Sequence, residues 1–192
     1  MAVVKVNPMK LKGPWTEGFV LDFHSLSATP TNDPYHPFDI KRTELGELLY
    51  RFKYSGQRDV LKDIVDTTEE FVRKWKPVID LIVTAPPSMK RRSQPVVEIA
   101  VALAACLEIP ICKDAVRKVK ETPSMKNVPG SFERQKLLAE AIQAGEDDVR
   151  DKRILLFDDL TDSGSTLGRV AQLLIEERGA NAVFALALTR TR

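Results

Sequence analysis

The densest chemistry in the chain lies in nine consecutive residues, Asp158-Asp159-Leu160-Thr161-Asp162-Ser163-Gly164-Ser165-Thr166. The apolar run 154–157 leads into two adjacent carboxylates, and a Ser/Gly/Thr turn follows before a helical pattern begins. Carboxylates accept hydrogen bonds from hydroxyl groups. The N–H groups of a turn and of a helix N-terminus receive an anion such as phosphate. Gly164 permits positive φ and a close approach of backbone to ligand. The hydroxyls of Ser163, Ser165 and Thr166 add donors. Together these parts suit a sugar that carries a phosphate. The same residues would also serve as turn formers and helix caps without any ligand, and the two roles are compatible.

A second group lies at Ala85-Pro86-Pro87-Ser88-Met89-Lys90-Arg91-Arg92-Ser93-Gln94. Arginine offers a planar fork and lysine a point charge, so Lys90, Arg91 and Arg92 with Ser88 can neutralise a second phosphate group. A solvated basic loop is the plain alternative. Its position at the end of an apolar strand favours pyrophosphate. The chain has no Gly-x-x-x-x-Gly-Lys-Ser/Thr loop and no Gly-x-Gly-x-x-Gly fingerprint, so the acidic pair is read neither as an ATPase metal site nor as part of a dinucleotide fold.

The elements that must hold these groups follow from periodicity. Residues 18–23 are strand-like within a Pro-, Asn-, Asp- and Thr-rich segment, and 29–37 reads as an irregular loop. Helices are expected over 42–54 and 57–75. Strands at 78–85, 109–112, 115–119, 154–157 and 182–188 then alternate with helices at 95–107, 133–144 and 166–178. Val97, Ala100, Val101 and Ala104 mark the apolar face of the 95–107 helix. This rhythm predicts an α/β fold with a parallel sheet covered on both faces. Ligands of such sheets collect at the carboxyl ends of the strands, where the acidic pair lies.

Length predicts one domain over 1–192, with an N-terminal hood and helices at 1–76 and a binding core at 77–192. The hydrophobic share of 43%, charged share of 29% and net charge of +2 are those of an ordinary soluble protein and argue little for nucleic acid. No apolar stretch approaches the ~20 residues of a membrane span, and no signal-peptide core opens the chain, so the cytoplasm is the expected compartment. Cys106 and Cys112 are expected to be buried free thiols.

The apolar-Asp-Asp-x-x-x-Ser-Gly-x-Thr run resembles the signature of the type I phosphoribosyltransferases, which bind 5-phosphoribosyl-1-pyrophosphate (PRPP). Leu45-x-x-Leu-Leu-Tyr-x-Phe-Lys-Tyr, Pro-x-x-x-Arg-Arg-x-Gln and Arg134-Gln135-Lys136-x-Leu138 are most similar to the competence protein F-like branch, and the resemblance runs from Arg42 to the C-terminus. The chain departs from the pattern in having Ser163 for threonine, Arg92-Ser93 for Gly-Phe-Asn before the glutamine, and no four-cysteine motif.

The resemblance implies a type I phosphoribosyltransferase-like parallel sheet flanked by helices, with a small N-terminal hood. It implies a pentosyltransferase of nucleotide metabolism that passes the phosphoribosyl group to a nitrogen acceptor. By position, Asp158 and Asp159 would hold the ribose hydroxyls, and 162–166 would enclose the 5′-phosphate. Lys90 and Arg91 would meet the pyrophosphate. Mg²⁺ would be bound mainly through PRPP and water, with Asp158 and Asp159 as further ligands. Asp162 is the candidate proton acceptor, with a simple N-cap role as the alternative. The 121–132 loop would close over substrate, or simply be a long loop. The N-terminal region would select the base; His24, Trp15 and Phe23 are the residues there able to face or stack on it, with turn and core roles as alternatives. A homodimer is left open. The competing reading is a non-catalytic PRPP- or nucleotide-binding module in regulation, DNA uptake or repair, with nucleic acid as the weaker partner class.

Overall fold

Apolar runs rich in Val, Ile and Leu, bounded by polar turns, become parallel strands here because helices cover both faces of the sheet they build. The computed structural model describes residues 3–33, 35, 37–87, 94–123 and 127–191. Its first elements are β1 (Met9–Lys10), β2 (Glu17–Phe23), β3 (Ser25–Pro30), β4 (Phe38–Arg42), α1 (Glu44–Tyr54) and α2 (Leu61–Trp75). Then come β5 (Leu81–Thr84), α3 (Pro95–Leu107), β6 (Ile111–Cys112), β7 (Val116–Lys118) and α4 (Ser131–Ala141). The chain ends with β8 (Ile142–Ala144), β9 (Arg153–Thr161), α5 (Ser165–Gln172) and β10 (Ala182–Arg190).

The main sheet has the order β1-β2-β10-β9-β5-β6. β1 runs antiparallel to β2, and the other neighbours are parallel. The carboxyl ends of β2, β10 and β9 are level, with Arg190 opposite both Phe23 and Thr161. Successive side chains on a strand point to opposite faces. Ile154 and Leu156 of β9 therefore enter a core with Leu167, Val170 and Ala171. Leu155 and Phe157 enter a second core with Leu45, Leu49, Ile64 and Ile99.

Local chemistry sets the helix ends. Thr43 caps α1, its hydroxyl accepting the Gly46 N–H at 3.0 Å. That bond satisfies one of the N–H groups a helix start leaves without a partner. Pro95 opens α3, where its missing N–H costs nothing. α5 starts at Gly164, whose φ of +77° lies in the left-handed region that favours glycine. One π-type turn, Leu173–Glu177, extends α5 towards the end expected from periodicity.

Several expectations are revised. The 29–37 segment is not wholly irregular, because β3 and β4 pair as an antiparallel ribbon. Almost every residue of that ribbon is exposed, so no burial alternation marks it in the sequence. α4 stops at Ala141, and Ile142–Ala144 instead pairs with β7 as a strand. β9 runs on to Thr161, which places both acids inside the strand rather than after it. β2, although it precedes residue 77, is hydrogen-bonded to β10 within the main sheet, and among the described residues of the N-terminal part only the β3–β4 ribbon forms a separate sheet. Cys106 is exposed and Cys112 half-buried, and Val101 is 40% exposed. Small apolar residues all round α3 left its inner face undefined in the sequence. Among the described residues, no helix is long and apolar enough to cross a membrane.

Candidate active site

β9 carries its two acids out at the carboxyl edge of the sheet. By strand alternation Asp158 continues the row of Ile154 and Leu156, while Asp159 continues the row of Leu155 and Phe157, on the side that α1 covers. There the Lys53 ammonium meets the Asp159 carboxylate at 3.0 Å, with side chains only 13% and 11% exposed. Asp158 is half-buried, and its Oδ1 accepts the Asp159 N–H at 2.9 Å. Burial, reinforced by the neighbouring Asp159 charge, pushes the Asp158 carboxyl above the usual carboxylate range. The two adjacent acids are therefore not equivalent.

The turn that follows is pre-formed. Ser163 and Ser165 share a hydrogen bond between their hydroxyls at 2.7 Å. The Gly164 carbonyl accepts the Gly168 N–H at 2.8 Å, closing the first turn of α5. N–H groups at the start of a helix have no intrahelical carbonyl partner and point outward along the axis, which is the arrangement that receives an anion. Asp162 does not cap α5: that position is Gly164, and the Ser163 hydroxyl accepts the Ser165 N–H at 3.4 Å. The Asp162 carboxylate instead accepts the Thr191 hydroxyl just beyond β10.

These groups open onto one cavity of about 690 Å³. Asp158, Asp159 and residues 160–166 form one side of it, with Thr191 beside them. Lys53 and Tyr54 of α1 form another, next to Gln94, Pro95 and Val96 at the start of α3. Lys118, Thr122 and Pro123 approach from the β7 side. Burial pulls the Lys118 ammonium below its ordinary value. Pro86 and Pro87 also line the cavity, but Ser88, Lys90, Arg91 and Arg92 lie outside the described residues. Lys126 of the 121–132 loop does so too.

His24, between β2 and β3, sets its Nδ1 3.2 Å from the Thr189 hydroxyl. Burial, helped by Arg42 and Lys53, holds its pKa below the ordinary histidine value. Thr189 in turn donates to the Asp159 carbonyl at 3.4 Å. Trp15 packs against the first core and donates to the Leu11 carbonyl at 2.8 Å, and its ring lies beside Gly164. Sequence reasoning gave Lys53, Lys118 and Thr191 no site role, although Lys53 is the lysine of the Phe-Lys-Tyr segment that carries the family resemblance. A lysine in the last turn of a helix reads as a partner for the helix dipole, and nothing local to it signals a carboxylate 106 positions away. Among the described residues, no three or more His, Cys, Asp or Glu side chains cluster as a ready-made metal site.

The phosphoribosyl transferase domain family matches residues 96–191, half of the chain. The Competence protein ComFC of Bacillus subtilis (strain 168) is 28% identical over 147 residues. That match covers 76% of this chain and 59% of the relative, so the chain spans less than two thirds of that protein's length. Among solved structures, adenine phosphoribosyltransferase from Leishmania tarentolae is 14% identical. It covers 96% of this chain and 94% of its own, with a TM-score of 0.50, a likeness of fold alone.

Proposed function

This chain belongs to the phosphoribosyl transferase domain family, and from that membership we propose that it binds PRPP with Mg²⁺ and transfers the 5-phosphoribosyl group to a nitrogen acceptor, a nucleobase being the class considered. The observation that carries this reading is the strand–turn–helix at 158–166, which turns two acids and a glycine-started helix into one cavity. The phosphate of the substrate would sit on the turn of Asp162, Ser163, Gly164, Ser165 and Thr166, against the N–H groups of α5. Asp158 and Asp159 would accept hydrogen bonds from the ribose hydroxyls. By the family resemblance Ser88, Lys90, Arg91 and Arg92, next in sequence to the cavity-lining Pro86 and Pro87, would face the pyrophosphate.

The donor set suits Mg²⁺, which keeps several waters and takes one or two carboxylates together with phosphate oxygens. Asp158, Asp159 and Asp162 line the cavity, and Asp158 and Asp159 are the two that would serve the ion. When bound, the ion would neutralise charge on the pyrophosphate. In the transfer, the bond from C1′ to the pyrophosphate oxygen breaks with its electron pair leaving on that oxygen. The acceptor nitrogen forms the new bond to C1′ with its own pair. Cations of the 88–92 segment bind the leaving group more strongly as its charge grows, which lowers the barrier. The proton shed by the acceptor passes to the Asp162 carboxylate, held in place by Thr191.

The two cores share one sheet, and the 192 residues are read as one domain. The test is pyrophosphate release from PRPP and Mg²⁺ against a panel of purine and pyrimidine bases. Release that depends on one base supports transfer. PRPP binding with no release for any acceptor favours the non-catalytic reading, in keeping with the competence role that names the Bacillus subtilis relative.

A further inference from the structure

The Lys53–Asp159 pair stands apart from the molecule's other salt bridges. Among the described residues it alone has both side chains less than 15% exposed. Taking both charges out of water is costly, and apolar residues of similar size are often as stable in such places. Simple dipole matching at the end of α1 would leave the lysine head in water, yet here it turns inward to the end of β9. Both residues also line the main cavity. The pair is fixed from behind: Phe52 and Phe157, the residues next to Lys53 and two before Asp159, are buried in the same core, and Thr189 donates to the Asp159 carbonyl.

A carboxylate can only accept and an ammonium can only donate, and each keeps capacity beyond its partner. Set 3.0 Å apart, the two offer one acceptor and one donor side by side to the cavity. A hydroxyl both donates and accepts, and two on adjacent carbons present alternating donors and acceptors at comparable spacing. We propose that Lys53 and Asp159 act as one unit that reads the vicinal diol of the sugar, so that Lys53 sets selectivity for ribose over 2-deoxyribose. This rests on the sugar-phosphate reading of the cavity and adds a specificity-determining residue that the acidic pair by itself does not supply. Asp158, on the opposite face of the strand, remains a separate contact.

The test is calorimetric titration of ribose 5-phosphate and of 2-deoxyribose 5-phosphate into the wild type, Lys53→Met, Lys53→Arg and the double variant Lys53→Met/Asp159→Asn, each checked by its melting curve. The wild type is expected to prefer ribose 5-phosphate by about tenfold or more, the scale of a lost hydrogen bond to a charged group. Lys53→Met should lose about that factor for ribose 5-phosphate while its affinity for the deoxy sugar stays within about twofold. Lys53→Arg, which keeps the donor, should keep most of the preference. If Lys53→Met fails to fold, the double variant removes both charges and must still show the preference abolished. An equal loss for both sugars assigns Lys53 a merely structural role and overturns the proposal, as does a preference that survives without the lysine. Wild type that binds neither sugar phosphate overturns the reading of the turn itself, and this inference with it.

Discussion

β9 carries an ion pair at each end, and the two could hardly be more different. At its amino end Arg153 embraces Asp80 with two guanidinium contacts, at 2.6 and 3.0 Å, and the Arg153 N–H adds a third at 2.8 Å. Those side chains are 40% and 29% exposed. At its carboxyl end Lys53 meets Asp159 in a single contact with both side chains nearly covered. The first pair joins neighbouring strands β5 and β9 where the sheet begins, a task that solvent-screened charges perform at little cost. The second joins a helix to the strand at the rim of the cavity, where desolvation makes it expensive. Good geometry at an exposed end marks the fold, and costly burial at a ligand-facing end marks the site.

Removing one partner at each end is the sharpest way to break that contrast. Asp159→Asn leaves the Lys53 ammonium covered and unpaired, and denaturant melts should show a loss of about 3 kcal/mol. Losses equal to those of Asp80→Asn would erase the distinction. Gly164→Val forces a branched side chain into left-handed backbone, with an expected cost of about 1–3 kcal/mol and the loss of phosphate binding at the turn. A Cβ there would meet Leu11 and Trp15 only at 3.8 Å, so backbone strain rather than collision is what the measurement reads.

The Asp80 pair predicts a smaller effect with a definite pH sign. Hydrogen bonds from Arg153 hold the Asp80 carboxyl well below the usual carboxylate range. A depressed folded-state pKa contributes stability above the unfolded value, about 4, that is lost as pH falls through the folded one. Melts of the wild type between pH 5 and 2 should therefore fall more steeply than those of Asp80→Asn. Parallel curves would show that the pair contributes nothing measurable. The smallest effect is expected away from β9 altogether. Replacing residues 31–37, between β3 and β4, with a short Gly-Asn turn should change stability by less than about 1 kcal/mol and leave sugar-phosphate binding intact.

What the sequence shows of this site is what lies close together along the chain. The strand, the acids, the turn and the helix start occupy 154–166 without a break, and each step has its own local signal. The α/β alternation was legible for the same reason, since runs such as 154–157 and 182–188 are apolar without interruption. Lys53 and Thr191 were hidden because their roles come from strand order: β10 and α1 reach the end of β9 only after folding. The β3–β4 ribbon was hidden because a strand exposed on both faces has no hydrophobic alternation to display. The alternation that sends Asp158 and Asp159 to opposite faces follows from strand geometry, but only once β9 is seen to extend through them.

The end of β9 and the start of α5 form the proposed binding site for PRPP. Calorimetric titration of PRPP with Mg²⁺ into the wild type and into an Asp158→Asn/Asp159→Asn variant tests it most directly, with melting curves to establish that both are folded. Binding by the wild type that is lost in the folded variant is the predicted result. A folded wild type that takes up no PRPP, or a variant that binds it equally well, would contradict the account.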